Sequence, residues 1–363
     1  GNLLKGNFPT SVFSLTNLKK LDLSSNKLHG EIPNLSSLSN LTYLNLSNND
    51  FTGDVWSSYS NLPNLEEIYV GHNNCNISNT DFSGFSGLKS LDISKLNLTE
   101  IPASLGSLQK LSSLNVSNNA IVSFSNLSSL NQLQELNLAN NNLNKVPSEI
   151  INFISLKSLD LSNNIITDFS SLSNLINLEW LSLENNSLQN IPNQVSNLQK
   201  LIHLNLGRNK INGSTSILGT LNHLQQLWLN HNKLSGNIPQ DLLALPNLMC
   251  LSLQSNELEG TIPNNIPQIC NISNNRFSKT QIENYLNTNS NNTDFVYSPQ
   301  RYDNPKVIKA NLNSSTSLDQ ALSTSDGYSF TWLKTLDKNT YINSENLSIS
   351  SVKETDFDIY TCE

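Results

Sequence analysis

Charge, sulfur and long apolar runs are all scarce in this chain of 363 residues. Charged side chains make up 14%, and 29 acids against 21 bases leave a net charge of −8. A chain without a basic excess has no electrostatic footprint for a phosphate backbone, and it is not drawn to an anionic bilayer, so nucleic acid is excluded as a partner. No apolar run reaches the ~18 residues that a membrane-spanning helix needs, and the first residues show no charged-then-apolar leader. The five histidines, His29, His72, His203, His223 and His231, form no HxxxH or HExxH pair, and CxxC, GxxxxGK and GxSxG are all missing. The sequence thus offers no catalytic set, no metal site and no cofactor, and a non-enzymatic protein is expected.

What is present is repetition. The pattern LxxLxLxxN begins as Leu18-Lys-Lys-Leu21-Asp-Leu23-Ser-Ser-Asn26 and restarts at Leu41, Leu65, Leu88, Leu111, Leu133, Leu156, Leu178, Leu201, Leu224 and Leu248. A worn copy runs from Pro267 to Asn275. Within each copy the alternation xLxLx has the period of a short strand, so Leu21 and Leu23 should point inward while Lys20, Asp22 and Ser24 face solvent. Successive strands should pair in parallel into a sheet lining a concave face. Asn26, Asn49, Asn73, Asn119, Asn141, Asn164, Asn186, Asn209, Asn232, Asn256 and Asn275 fall in one column. There a short amide can bond backbone groups that turn away from the strand, which predicts an internal ladder. Leu96 occupies that column in the fourth repeat, and a local defect is expected there.

This period is identified as that of leucine-rich repeats, an α/β solenoid fold, covering residues 1–277 in about twelve repeats. Asn26 to Pro33, Asn232 to Pro239 and Asn256 to Pro263 read NxLxGxIP and resemble the plant-type and related bacterial repeats. Asn141 to Pro147 and Asn186 to Pro192 lack the glycine step, and such mixing resembles a bacterial surface protein more than a plant receptor. The start, Asn2 to Pro9, aligns with Asn26 to Pro33, so the expectation is that an N-terminal cap lies outside this chain. Cys75 and Cys270 replace core positions, Cys250 lies on the sheet face and Cys362 lies in the tail, so no disulfide is expected. Triplets such as Asn40-Leu-Thr42 and Asn97-Leu-Thr99 are read as by-products of the repeat rather than glycan sites.

After Phe277 the period ends. Thr280-Gln-Ile-Glu283 fits a capping box, so residues 278–297 are read as a capping helix and linker. Residues 298–363 hold Trp332 on a strand-like run, then Asp358-Ile-Tyr360-Thr-Cys362, and resemble an incomplete all-β immunoglobulin-like sandwich. In that reading Cys362 is an unpaired thiol packing on Trp332. Repeats joined to such a module resemble secreted or surface adhesins of the internalin type, which implies an extracellular or cell-surface location.

Recognition on the concave sheet is therefore the expected activity, with a protein or peptide as partner. Repeats eight to eleven place Trp180, Glu184, His203, Arg208, Gln226, Trp228, His231 and Met249 outward, a concentration of aromatic, Arg and Met side chains of the kind that anchors interfaces. A smaller patch is Tyr43, Glu67, Tyr69 and His72. Asp22, Asp92 and Asp160 share a column in distant repeats and are read as solvated sheet residues. The alternative is a carbohydrate or ice-surface binder, but a lattice binder would keep one polar column unbroken, and these columns vary at nearly every step.

Overall fold

The computed structural model describes residues 2–54, 62–78, 80–123 and 127–300, then Ser315 and five short strands toward the C-terminus. Contacts divide the chain into two units. The first holds residues 1–232 and 239–251, and the second holds 233–238 and 252–363.

The first unit is built on a parallel sheet whose strands follow in chain order: Lys20–Asp22, Tyr43–Asn45, Glu67–Tyr69, Ser90–Asp92, Ser113–Asn115, Glu135–Asn137, Ser158–Asp160, Trp180–Ser182, His203–Asn205 and Gln226–Trp228. The N–H groups of Met249 and Cys250 then reach the Gln225 carbonyl at 2.9 and 3.0 Å. Leu44, Ile68, Leu91, Leu114, Leu136, Leu159, Leu181, Leu204 and Leu227 are the central inward residues of their strands, and all are buried. Burying a leucine contributes about 1.5–3 kcal/mol, so this single column, one residue per repeat, is a large share of what holds the stack together.

On the side away from the sheet, the repeats use two kinds of local structure. Repeats with the glycine step add a second short sheet, Lys5–Gly6, Lys27–Glu31 and Asp50–Thr52. It turns at Gly6, Gly30 and Gly53, which hold φ between 79° and 102°, a region where any Cβ is strained. Farther along the chain this side carries 3₁₀ turns, at Ala103–Ser107, Ser148–Asn152, Ser170–Asn174, Asn193–Asn197 and Ser216–Thr220. Pro102, Pro147 and Pro192 stand immediately before three of these turns, where the fixed φ of proline suits the entry and its missing N–H goes unneeded. Phe51, Phe82, Phe85 and Phe153 fill the core on this side.

The asparagine ladder forms. In a typical rung the Asn164 amide donates to the carbonyls of Leu138, Leu161 and Ser162 at 3.0–3.1 Å, and its oxygen accepts the Leu143 N–H at 3.0 Å. Leu96 breaks the ladder as expected. It is buried without an amide to offer, and its own N–H turns to the Asn119 side chain at 2.9 Å. The residue that would have met an asparagine there is Cys75.

In the second unit, Ser235–Gly236 pairs in parallel with Glu257–Leu258, and Ile269–Asn271 pairs with Phe295–Val296. Asn256 and Asn275 continue the ladder contacts, accepting from Leu234 and Leu258. The helix spans Lys279–Thr288 and is capped by Ser278, which accepts from the Gln281 N–H while Gln281 reaches back to the Ser278 N–H. The start therefore lies two residues before the expected Thr280–Glu283 box. Phe277 is fully buried, and the chain has to turn as soon as it leaves the core. Tyr285 of this helix packs on Phe295 with ring centroids 4.6 Å apart.

Farther on, Thr316–Asp319 runs antiparallel to Asn346–Ile349, and Thr331–Lys334 runs antiparallel to both Thr340–Ile342 and Tyr360–Cys362. Trp332 and Cys362 are register partners in the backbone, while the expected packing of that thiol on the indole falls outside the described residues.

Candidate binding surface on the parallel sheet

The outward face of the sheet is organised by two columns that turn out to be structural. At the fifth position of the repeat, an Asp or Asn carboxyl or amide oxygen accepts the N–H two residues on, closing the strand with a local turn. Asp22 does this for Ser24 at 2.9 Å, and Asn45, Asp92, Asn115, Asn137, Asp160 and Asn205 repeat it at 2.9–3.1 Å. The reading of Asp22, Asp92 and Asp160 as merely solvated is corrected here, since each shapes the end of its strand. At the eighth position every repeat has positive φ, and Asn is its commonest occupant, at 48, 118, 140, 163, 185 and 274. That is the residue type most tolerant of this region after glycine.

Against this background the departures stand out. Tyr69 and Trp228 sit at the fifth position and forgo the turn-closing oxygen. Three residues after each, the eighth position holds His72 (φ 57°) and His231 (φ 52°) instead of asparagine. Both repeats have thus given up two local stabilising choices together, and both put an aromatic and an imidazole on the outward face. Lys95 (φ 51°) and Arg208 (φ 53°) are the other basic residues in that column.

Most of the twelve residues singled out from the sequence fall into two neighbourhoods of the first unit. Trp180, His203 and Gln226 are consecutive register partners across three strands. The His203 ring stacks on Trp228, with centroids 6.5 Å apart and planes 25° from parallel. Arg208 Nε is 3.2 Å from Glu184 Oε1, and Asn205 donates to Glu184 Oε2 at 3.0 Å. His231 is exposed in the eighth-position column, and Met249 is 60% exposed beyond Gln226. In the second neighbourhood the Tyr43 and Tyr69 rings lie 5.6 Å apart, Lys20 Nζ sits 5.7 Å over Tyr43, and the Tyr69 hydroxyl donates to Glu67 Oε2 at 2.8 Å. Burial, reinforced by the neighbouring Glu67, raises the Tyr69 phenol above its ordinary value against the opposing Ser90 hydroxyl. Seven strand steps separate Tyr69 from Trp228, roughly 34 Å along the sheet.

Two depressions were not foreseen in full. One, of about 370 Å³, lies over repeats five to eight, between Ser113, Asn115, Glu135, Asn137, Ser158, Asp160 and Trp180. The other, of about 240 Å³, adjoins His72 and adds Asn49, Asp50, Asn73, Asn74, Lys95 and Asn97. The sequence signal for the first was the small Ser158 set between Glu135 and Trp180 in one row. Among the described residues no group of three or more His, Cys, Asp or Glu side chains could hold a metal ion. No helix among them is long and apolar enough to cross a membrane.

Taken together, the stacked parallel strands, the asparagine ladder and the variable outward face define a leucine-rich repeat protein. Models of the leucine rich repeat match residues 39–97, 86–143 and 131–188, a two-copy model matches 16–55, and a single-repeat model matches 223–245 and 247–269. The chain belongs to this family. Its fold is similar to that of an internalin (inlF) from Listeria monocytogenes, at 27% identity and TM-score 0.66, covering 80% of this chain and 88% of that one. It is also similar to the Arabidopsis receptor kinase HAESA, solved with the peptide hormone IDA and the co-receptor SERK1, at 27% identity and TM-score 0.55; the match covers 78% of this chain but only 59% of that receptor. A leucine-rich repeat protein of Leptospira interrogans, at 22% identity and TM-score 0.59, shares the fold over 83% of this chain and 89% of its own. Members of the family are typically binding scaffolds for proteins and peptides rather than enzymes.

Proposed function

We propose that this chain is the recognition module of a secreted or cell-surface protein, adhesin- or receptor-like, that binds a protein or peptide on the outward face of its parallel sheet. The observation that carries the reading is the paired replacement at Tyr69/His72 and Trp228/His231. A fold that uses Asx at the fifth position and asparagine at the eighth gains nothing locally by exchanging them for an aromatic and a histidine. Large amphipathic rings on a rigid sheet are instead what an interface uses, because they bury much area at small entropic cost. The likeness to a Listeria internalin and to plant ectodomains solved with peptide hormones supports a partner of that class. The carbohydrate or ice alternative is weakened by the same geometry. The Asp and Asn oxygens that a lattice would need are already committed to closing turns.

The tail is read as an immunoglobulin-like spacer that supports the solenoid. Its support is the pairing of the Trp332 strand with the Tyr360–Cys362 strand, beside a separate antiparallel pair.

The test is site-specific photo-crosslinking. A benzophenone side chain at Gln226, on the sheet face, is compared with one at Ser196, on the opposite side. A partner joined from Gln226 and not from Ser196, and lost with Trp228→Asn, is the expected result. Equal crosslinking from both positions sinks the assignment.

A further inference from the structure

The depression beside Trp180 has a chemistry of its own. Ser113, Glu135, Ser158 and Trp180 form one row of register partners across four strands. Trp180 and Glu135 are thus two strand steps apart, roughly 9.6 Å, with only the Ser158 hydroxymethyl between them. Asp160 lies two residues farther along the Ser158 strand, about 7 Å away. The floor is therefore low, one wall is an indole, and two carboxylates border it. Ser113 holds Glu135 Oε2 at 3.0 Å, and the Ser162 N–H holds Asp160 Oδ1 at 2.9 Å, so both acids are oriented before any ligand arrives.

Among the described residues no base lines this depression. Lys157, immediately before the Ser158–Asp160 strand, reaches Glu179 at 3.5 Å, and Arg208 is turned to Glu184. Two fixed carboxylates repel an anionic guest, and the Ser and Asn floor gives an aliphatic one no burial. A planar cation satisfies every wall. A guanidinium can stack on an indole face while its edge N–H groups reach carboxylates, and it sheds water more readily than an ammonium ion does.

We propose that this depression receives an arginine side chain of the bound protein or peptide, its guanidinium lying over Ser158 against Trp180 with its N–H edges on Glu135 and Asp160. The assignment rests on the recognition reading above and specifies the chemistry of the partner there.

The experiment uses a small probe, so it does not depend on knowing the partner. N-acetyl-Gly-Arg-Gly-amide is titrated into the full chain while the indole N–H signal of Trp180, assigned with Trp180→Phe, is followed by NMR. The same peptide with citrulline, and with lysine, serves as control. Expected is a saturable shift with the arginine peptide, none with citrulline, weaker binding with lysine, and an affinity loss of about tenfold in a Glu135→Gln/Asp160→Asn variant. Asparagine already serves at the Asp160 position in neighbouring repeats, so that variant keeps its turn. Equal shifts with citrulline, equal or tighter binding with lysine, or full affinity in the double variant overturns the proposal. If the arginine peptide leaves Trp180 unmoved while Gln226 still crosslinks a partner, the arginine assignment fails and the recognition reading stands. If the arginine peptide binds as expected but crosslinking is equal from both faces, the recognition reading fails instead.

Discussion

At the scale of single residues, the ladder column divides into positions that carry hydrogen bonds and one that does not. Removing the Asn164 amide strands the Leu143 N–H in the interior, at about 1–3 kcal/mol for a group left unsatisfied, while the Leu138, Leu161 and Ser162 carbonyls keep the Asn141 and Asn186 amides and the Asn140 N–H as donors. Asn164→Leu is therefore expected to lower the urea-unfolding free energy by about 1–3 kcal/mol. Leu96→Asn should behave in the opposite way. It would give the Cys75 N–H an acceptor and fill the gap, so its unfolding free energy should fall by less than ~1 kcal/mol or rise. A loss as large as that of Asn164→Leu would mean that the leucine packs too tightly to replace. The cysteines separate in the same manner. Burial pushes the Cys75 thiol up to about 12 from an ordinary 9.0, so the core accepts its neutral form. That favours the folded state at neutral pH and is lost only as pH climbs from about 9 toward 12. Half-exposed Cys250 is raised by burial as well, yet remains open to reagent. In a Cys362→Ser background, iodoacetamide at pH 8 should label Cys250 in the native protein and reach Cys75 only on unfolding; mass spectrometry of the labelled peptides decides it.

At the scale of the element, the turn that ends each strand explains both what was legible in the sequence and what was not. Period and column gave the strands and the ladder, because a repeat that stacks on copies of itself imposes one environment on each position. The same repetition hid the role of Asp22, Asp92 and Asp160, since an outward-pointing acid reads as solvated until its oxygen is seen closing a turn. The helix start was misread for a related reason: Ser278-x-x-Gln281 and Thr280-x-x-Glu283 both fit a capping box, and only the burial of Phe277 selects the first. Ser278→Ala should accordingly cost about 1 kcal/mol, and Thr280→Ala much less. The turn also yields a sharper expectation. Trp228→Asn restores the common fifth-position oxygen, and His231→Asn places asparagine where φ is positive. Each should leave thermal stability unchanged or raise it, by about 0.5–1.5 kcal/mol, while removing sheet-face crosslinking at Gln226. A calorimetric loss of stability in either variant would show that these side chains serve the fold, and the argument from paired replacements would collapse.

At the scale of the whole repeat array, each repeat contacts chiefly its neighbours, so stability accumulates locally and a complete repeat can be removed in register. The fourth repeat is the informative one, because it carries the ladder break at Leu96. Excising residues 74–96 joins Asn73 to Asn97-Leu98 and preserves the Asn-x-Leu spacing. The shortened chain should fold with the circular dichroism of the parent and unfold no less cooperatively, since the only interrupted rung among the described residues has gone. Its effect on recognition separates two geometries that no single substitution can distinguish. The deletion draws Tyr69 and His72 toward Trp228 by one strand step, about 4.8 Å, and leaves every residue from Ser113 onward in its own repeat. If one partner spans both aromatic patches, that displacement breaks the match and affinity should fall as far as it does in Tyr69→Asn, by at least about tenfold for the loss of an aromatic anchor. If the partner sits only on the Trp180 and Trp228 neighbourhood, the deletion should bind as the parent does. Unchanged affinity in the deletion together with a large loss in Tyr69→Asn would contradict both geometries, because it would require Tyr69 to be indispensable and its distance from Trp228 to be irrelevant.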